Sequence, residues 1–468
     1  LQSSYAPILE AAQVYKVFLA LLTLTIALAG GCVDSDDTVV DKVLLISIDT
    51  LRADYLGVYN PVMRTSPNLD ALAEESVVFT DAITQATSTL ASHTSLFYSM
   101  HTFVHRAYLN SQPEPKVTVP MVALRDAGFL TAAFVGGGQL RPQFGVNRGF
   151  DIYEVINTRN INQSSRGRDR LGDLHDEVAA FLRHHRDDRF FLFVHTYEPH
   201  WPYDPPQEFI DAVEAQMDSA ALGRNATPRD LQEYEVGFGV TEDAYLATNR
   251  RAMYAAVVAY VDHFMGRLLA TIQEMGLDDR LMIVFIADHG ESLGERGVLG
   301  HNRFYTEQLR VPLIIRVPGV EARRTDVPVQ LIDVLPTIIS ALAVDPPYEF
   351  MGQSLMPLLL GDESVVDRGR VRFSENKGSA GVLRGPWKIV FNLDNPALRT
   401  LYNLEEDPGE LINRAPQQPE LAEELVHLYY GFAARHRSIA QQFPHNDLDV
   451  GELGPDVLRE LRALGYIQ

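Results

Sequence analysis

Several carboxylates and imidazoles in this sequence stand at the polar ends of apolar runs. Asp49 closes the run Lys42 to Ile48 and opens Asp49-Thr50-Leu51-Arg52-Ala53-Asp54. Asp288 and His289 emerge side by side after Leu281 to Ile286, in Ala287-Asp288-His289-Gly290-Glu291. A carboxylate at the end of a buried strand must be solvated, capped or coordinated, and an adjacent carboxylate and imidazole suit a divalent cation. One strand-end aspartate alone is more often a turn or helix cap; two at matching positions of one sheet favour a common ion. The polar stretch Thr87-Ser88-Thr89-Leu90-Ala91-Ser92-His93 leads into a helix predicted from Leu90. A hydroxyl at that boundary sees the exposed N–H groups of the first turn, which stabilise negative charge on an attacking oxygen or an anionic substrate. An ordinary Ser/Thr cap is the plain alternative. His195 and His200 follow the run Phe190 to Val194, with Pro199 and Pro202 fixing the backbone around the second. His301 lies in the loop after the Asp288 strand. A single histidine is commonly structural, whereas three in strand-end loops suggest an anion site that needs cationic or acid groups.

Positioning these groups falls to alternating strands and helices. The β-branched and leucine-rich runs Lys42 to Ile48, Leu130 to Val135, Phe190 to Val194 and Leu281 to Ile286 read as buried parallel strands. The segments Asn68 to Glu75, Leu171 to His184 and Asn249 to Met275 read as amphipathic helices, the last with Met253, Val257, Tyr260, Val261, Phe264, Leu268 and Ile272 apolar. This alternation predicts an α/β fold, a doubly wound and mostly parallel sheet flanked by helices. Ligands of such sheets bind beyond the carboxyl ends of the strands, where the clusters above lie. Tyr203 to Tyr245, acidic and broken by Pro205, Pro206 and Pro228, reads as a surface excursion over the site. After Leu360 come the short pieces Val371 to Ser374, Trp387 to Phe391 and Leu398 to Tyr402 and a helix from Pro419 to His436, which predict a small antiparallel sheet plus helix. The expected division is a catalytic domain over 42–365 and a C-terminal subdomain over 366–468.

Composition narrows the partners. With 468 residues, 46% hydrophobic and 22% charged, the chain is globular in texture and long enough for a large core. A net charge of −22 opposes attraction to phosphate backbones, so no nucleic-acid partner is expected. Cys32 is the single cysteine, which excludes an intrachain disulfide, a zinc finger and a thiol-ligated cluster. It stands in an address: Lys16, the apolar run Val17 to Ala29, then Gly30, Gly31 and Cys32 before an acidic stretch. Residues 1–32 read as a signal peptide, the apolar run being shorter than the roughly 20 residues a spanning helix needs. Small residues before a lone cysteine resemble the lipobox of bacterial lipoproteins, in which Cys32 would carry the lipid; a short uncleaved signal anchor is the alternative. Either places the rest of the chain outside the cytoplasm, in the periplasm or at the cell surface, with the membrane as a partner.

Taken in order, these segments resemble the sulfatase family of the alkaline phosphatase superfamily. The matching pieces are Ser47 to Asp54, Thr89 to Leu96, Glu198-Pro199-His200-Trp201-Pro202-Tyr203, Asp288-His289-Gly290-Glu291, Leu401 to Glu410 and the ending Leu461-Arg462-Ala463-Leu464-Gly465-Tyr466. The resemblance spans residues 42–468 and implies an alkaline-phosphatase-like fold. It implies one divalent cation, Ca²⁺ or Mn²⁺, held by Asp49, Asp288 and His289 against the nucleophile and one substrate oxygen. His200 falls on the family's substrate-binding histidine. His301 lies close to a basic residue that holds the transferred group or protonates the leaving oxygen, with His195 as a second candidate. Arg52 and His105 fall on pocket-facing positions.

The nucleophile departs from the family pattern. Sulfatases carry Cys or Ser, any residue, Pro, Ser, Arg, with the first residue oxidised to formylglycine; here Thr89, Leu90, Ala91, Ser92 and His93 stand in those places. Threonine cannot take that modification, His93 replaces the arginine as a substrate-binding candidate, and Thr50 stands at the usual second early aspartate. Threonine is the nucleophile in other branches of the superfamily, including nucleotide pyrophosphatases and phosphoglycerol transferases of the lipoteichoic acid synthase type. Pyrophosphatases have a second metal site with an aspartate four residues before a histidine; Thr196 stands four before His200, so one metal is expected. The expected activity is hydrolysis of an anionic sulfate ester, or a chemically similar phosphate ester on a glycan or lipid headgroup, with Thr89 as nucleophile. A phosphodiesterase or a phosphoglycerol- or phosphoethanolamine-type transferase is one alternative, and a catalytically inactive anion-binding member is another.

Overall fold

The computed structural model describes residues 40–109, 111–113, 119–156, 170–216, 235–236, 240–241, 244–365, 367–464 and 466–467. The segment read as a signal peptide, with Cys32, lies outside the described residues, as does much of the Tyr203 to Tyr245 excursion. The central sheet is built from β1 (Lys42–Ile48), β2 (Val77–Phe79), β3 (Leu130–Val135), β4 (Ile152–Val155), β5 (Phe190–Thr196), β6 (Leu281–Ala287), β7 (Leu313–Arg316) and β8 (Arg323–Thr325), in the order β8-β2-β7-β6-β1-β5-β3-β4. The sheet is mixed: β7 runs antiparallel to both of its neighbours, and every other pairing is parallel. Every residue of β1, β5 and β6 is buried, which is why these strands read as continuous apolar runs rather than alternating ones.

Helices cover the sheet. The main ones are α1 (Pro67–Glu74), α2 (Thr89–Tyr98), α3 (Arg170–His184) and α4 (Ala244–Glu274). On α3 the buried residues Leu171, Leu174, Val178, Phe181 and Leu182 recur at helical spacing and form one stripe. The window Arg250–Glu274 of α4 is long and apolar enough to cross a membrane, yet its Met253, Val257, Tyr260, Val261, Phe264, Leu268 and Ile272 are packed in the core. Polar groups of α4 also tie its neighbours: Asp262 accepts the Leu69 N–H at 2.8 Å at the start of α1, and the Tyr260 hydroxyl accepts the Leu171 N–H at 2.7 Å at the start of α3.

A second sheet follows, with strands β9 (Arg372–Asn376), β10 (Ser379–Arg384), β11 (Trp387–Asn392) and β12 (Arg399–Asn403) in a simple antiparallel meander. The β10 strand has no clear sequence signal, because Gly381 interrupts its apolar residues. Gly378, at φ 91°, makes the tight turn that returns β9 into β10. Helix α5 (Pro419–Arg435) lays Ala422, Leu425, Val426 and Tyr429 over this sheet, and the last helix is α6 (Pro455–Ala463).

One buried carboxyl here makes stability depend on pH. Glu375 of β9 accepts the Tyr108 hydroxyl at 3.2 Å and pairs with the Tyr429 hydroxyl, and burial pushes its pKa up to about 7 from the ordinary 4.5. Below pH 4.5 the carboxyl is protonated whether the chain is folded or not. Between that pH and about 7 the unfolded chain gives up the proton while the folded chain keeps it, so stability falls as pH rises. The loss is complete above about pH 7 and amounts to at most about 3 kcal/mol. Glu375→Gln is expected to flatten this fall, seen as a smaller drop in urea midpoint between about pH 5 and pH 8 than the wild type shows. Parallel pH profiles for the two proteins would refute the assignment.

Candidate active site

The register of the sheet assembles the site. Ile48 of β1 pairs with Ala287 of β6 and with Thr196 of β5, so the three strands end level and Asp49, Asp288 and Tyr197 leave the sheet side by side. The turn after β1 is held open by Thr50 in the left-handed region, φ 55°, an uncommon conformation for a β-branched residue. The Tyr254 hydroxyl from α4 braces it, donating to Thr50 O at 2.7 Å and accepting the Arg52 N–H at 2.9 Å. Asp288 Oδ1 accepts the backbone N–H of Thr50 at 3.1 Å and of His289 at 2.8 Å. Asp49 Oδ1 accepts the Thr89 hydroxyl at 3.0 Å.

Three donor atoms are left over: Asp49 Oδ2, Asp288 Oδ2 and His289 Nε2 are buried and have no hydrogen-bond partner. One ligand atom from each of these residues falls within 4.8 Å of the others. His289 Nδ1 donates to Gly290 O at 3.0 Å, so its Nε2 presents a lone pair. Buried polar atoms are rarely left unpaired, and two carboxylates with one imidazole lone pair form a donor set that fits a divalent cation. The electrostatics agree. Burial, then the charge of Asp288, raises the pKa of Asp49 well above the carboxylate range. At Asp288 burial acts the same way, but His289 and His93 outweigh it and hold the carboxyl below its ordinary value.

Thr89 is the first residue of α2 and is fully buried. Its hydroxyl reaches out of the helix to Asp49 rather than capping it, and Ser88 at the cap position makes no side-chain cap bond either. The Leu90 N–H is instead satisfied by Gln139 Oε1 at 2.8 Å. Facing Thr89 are two histidines with their Nδ1 atoms locked on backbone carbonyls: His200 on Trp201 O at 2.6 Å and His301 on Thr87 O at 2.9 Å. Their Nε2 atoms lie 3.3 Å apart. A hydrogen bond there needs one proton between two nitrogens whose Nδ1 atoms already donate. Burial, then the charge of His289, lowers the His301 pKa to about 3, so His301 is neutral and offers its Nε2 lone pair there. The loop of His301 is fixed from the second sheet: buried Lys388 donates to Phe304 O at 2.6 Å and pairs with Glu410 at 2.5 Å. Asn376 holds Thr87, donating to its hydroxyl at 2.8 Å.

Four expectations are corrected by these contacts. Arg52 does not face the pocket; its guanidinium is spent on Asp54 at 2.7 Å, Glu295 at 2.8 Å and Glu291 O at 3.2 Å. His105 does not either, because Nε2 bonds Ser95 Oγ at 2.8 Å and Nδ1 accepts the Ala107 N–H at 3.0 Å. Both ring nitrogens of His93 are committed, with Nε2 on Ser47 Oγ at 2.9 Å and Nδ1 on Thr89 O at 2.8 Å. It braces the first turn of α2. His195 is buried with neither nitrogen hydrogen-bonded, packed edge-on against His93 and Tyr197, and burial holds it neutral. It cannot deliver a proton to the pocket from there.

Asp49, Thr89, His200, Asp288, His289 and His301 are therefore brought together, and one further group joins them. The Tyr466 hydroxyl lies 2.9 Å from Thr89 Oγ1 and 3.4 Å from His200 Nε2, and burial, then the Asp49 charge, raises its pKa well above the phenol range. The only sequence signal for Tyr466 is the ending Leu461 to Tyr466 that resembles the family, and it names no role; the residue lies 377 positions from Thr89.

Comparison with known proteins gives the family. The family model described as Sulfatase matches residues 41–344, and that described as N-sulphoglucosamine sulphohydrolase, C-terminal, matches residues 294–431. The choline-sulfatase of Rhizobium meliloti is 29% identical over 434 residues, covering 80% of this chain and 82% of that protein. Among solved structures, the phosphonate monoester hydrolase of Agrobacterium radiobacter superposes with a TM-score of 0.68 at 22% identity, over 87% of this chain and 97% of its own. A protein solved in complex with its substrate D-glucosamine-2-N,6-O-disulfate gives a TM-score of 0.68 at 17% identity, over 85% of this chain and 98% of its own.

Proposed function

The chain belongs to the sulfatase family of ester hydrolases, and from that premise we propose that it is a metal-dependent hydrolase of an anionic sulfate or phosphate ester with Thr89 as its nucleophile. The observation that carries the reading is the Thr89 hydroxyl, 3.0 Å from Asp49 Oδ1 and next to three unpartnered donor atoms. A divalent ion held by Asp49, Asp288 and His289 would supply Lewis acidity toward an ester oxygen and toward the threonine oxygen. The protein's own groups do the rest. Thr89 passes its proton along its hydrogen bond to Asp49 Oδ1, and the threonine oxygen attacks sulfur or phosphorus. The bond to the leaving oxygen breaks, and that oxygen takes the proton carried by the His200–His301 pair. Water then attacks the threonyl ester and gives a proton back to the His200–His301 pair, the Thr89 oxygen leaves with the bonding electrons and takes its proton back from Asp49, and the inorganic anion departs.

An oxygen nucleophile that cannot become formylglycine gives phosphate esters equal standing with sulfate esters. The test is hydrolysis of an aryl sulfate and an aryl phosphodiester by the purified chain, with Ca²⁺ or Mn²⁺ added and after chelation. The reading expects turnover of at least one ester that chelation abolishes and the cation restores; turnover indifferent to chelation would sink the metal role. The Lys16 to Cys32 segment supports an extracytoplasmic, lipid-anchored enzyme, for which incorporation of labelled fatty acid, lost in Cys32→Ala, is the check.

A further inference from the structure

The last turn of the chain reaches the nucleophile. Helix α6 buries Val457 and Leu461, Leu464 is buried just beyond it, and the Tyr466 N–H bonds Leu461 O at 2.8 Å. Several contacts hold this segment in place. Glu460, nearly buried, accepts the Gly138 N–H at 2.6 Å and pairs with Arg141. Gly137 and Gly138 are both left-handed, at φ 91° and 55°, and a Cβ on Gly137 would collide with the Glu460 carboxylate. Gln139, the next residue, accepts the Leu90 N–H and donates its own N–H to the Tyr197 hydroxyl at 2.8 Å. One short loop thus joins the terminal helix to the first turn of α2, where Thr89 stands.

We propose that Tyr466 is a catalytic residue, its phenol donating a hydrogen bond to the Thr89 oxygen, and that Glu460 is the positioning residue that presents it. The proposal rests on the reading of Thr89 as nucleophile. The Thr89 hydroxyl donates to Asp49, which leaves a threonine lone pair open to the phenol proton across the 2.9 Å contact with Tyr466. As the Thr89 oxygen gives up its proton, negative charge grows on an atom that already has the Tyr466 hydroxyl 2.9 Å away, so no reorganisation is needed. When the threonyl ester is later cleaved, the electron pair of the breaking bond returns to the same oxygen and meets the same donor. The phenol keeps its proton through both steps. Its ring is fixed beside His200 and His301, with centroids 5.6 and 6.3 Å away.

The test compares the full chain with Tyr466→Phe, Glu460→Ala, the double variant and Thr89→Ala, using an aryl sulfate and an aryl phosphodiester with Mn²⁺, and orthovanadate binding as a readout independent of turnover. Tyr466→Phe keeps the ring and is expected to lower kcat by about 10²-fold, with KM changed by less than about 3-fold. It should weaken vanadate binding by about tenfold without moving the melting temperature. Glu460→Ala should act in the same direction by less, and the double variant should be no worse than Tyr466→Phe alone, because the two act as one unit. Wild-type kcat and vanadate affinity in Tyr466→Phe, or a change in KM alone, would overturn the proposal. If Thr89→Ala is inactive in that case, the reading of the nucleophile stands while that of Tyr466 falls. Activity retained in Thr89→Ala would remove both, as would a wild-type chain that neither turns over these esters nor binds vanadate.

Discussion

Thr89→Ala is expected to lower kcat on a susceptible aryl ester by about 10⁴-fold or more, as loss of a covalent nucleophile does elsewhere, while Thr89→Ser keeps a measurable fraction of the wild-type rate. The next hydroxyl along the helix is not free to replace it. Ser92, one turn further along α2, donates to Asp288 O at 2.7 Å and bonds Thr84, so its hydroxyl is committed to structure. Ala keeps the helix but leaves Asp49 Oδ1 and the Tyr466 hydroxyl each short of a partner, a cost of about 1 to 3 kcal/mol. Loss of rate with the fold retained is the expected combination, read from kcat and the melting curve together. A quenched reaction of the wild type should also carry one added sulfuryl or phosphoryl group by intact mass, absent from the Ala variant. An adduct that persists in Thr89→Ala would place the nucleophile elsewhere.

Asp288→Asn is expected to abolish cation-dependent activity, by about 10³-fold or more, while the cation-free protein stays folded. The carboxamide can still accept the Thr50 and His289 N–H groups through its oxygen. What changes is charge. The wild type holds Asp288 beside buried Asp49, and part of the rise in the Asp49 pKa is repulsion from Asp288. Removing one negative charge relieves that repulsion and removes one ligand for the ion. Added Mn²⁺ or Ca²⁺ should therefore raise the wild-type melting temperature, by about 2.7 kcal/mol of stability at a hundredfold excess over Kd, and leave Asp288→Asn unmoved. The sign with pH follows from Asp49. Its raised pKa means that the cation must displace a proton, so affinity rises with pH and is lost as Asp49 takes up its proton. Equal thermal stabilisation of both proteins by the cation would contradict the ligand assignment.

The sequence was most legible where a side chain's burial and its chemistry are both written locally. The run Lys42 to Ile48 had to be a strand buried on both faces, and so had Leu281 to Ile286, because only a central parallel strand uses unbroken β-branched and leucine residues. An aspartate directly after each then pointed to one edge of one sheet, and the observed register puts Asp49 beside Asp288. The C-terminal meander was legible except for β10, whose glycine and small residues carry no strand signal and whose existence depends on β9 and β11 on either side.

Histidines mark the limit of such reading. His93, His105 and His195 share their residue type with His200 and His301, but a ring nitrogen is free for chemistry only if no neighbour consumes it. Ser47, Ser95, Ala107 and the Thr89 carbonyl consume those of His93 and His105, and close packing buries His195. Arg52 was lost to Asp54 and Glu295 in the same way. Residue types and their order along the chain determined the α/β fold and the strand-end carboxylates. Only the tertiary structure decided which imidazoles face the pocket, and only it brought Tyr466 onto Thr89, because hydrogen-bond partnership is a property of three-dimensional neighbours that spacing along one chain does not encode.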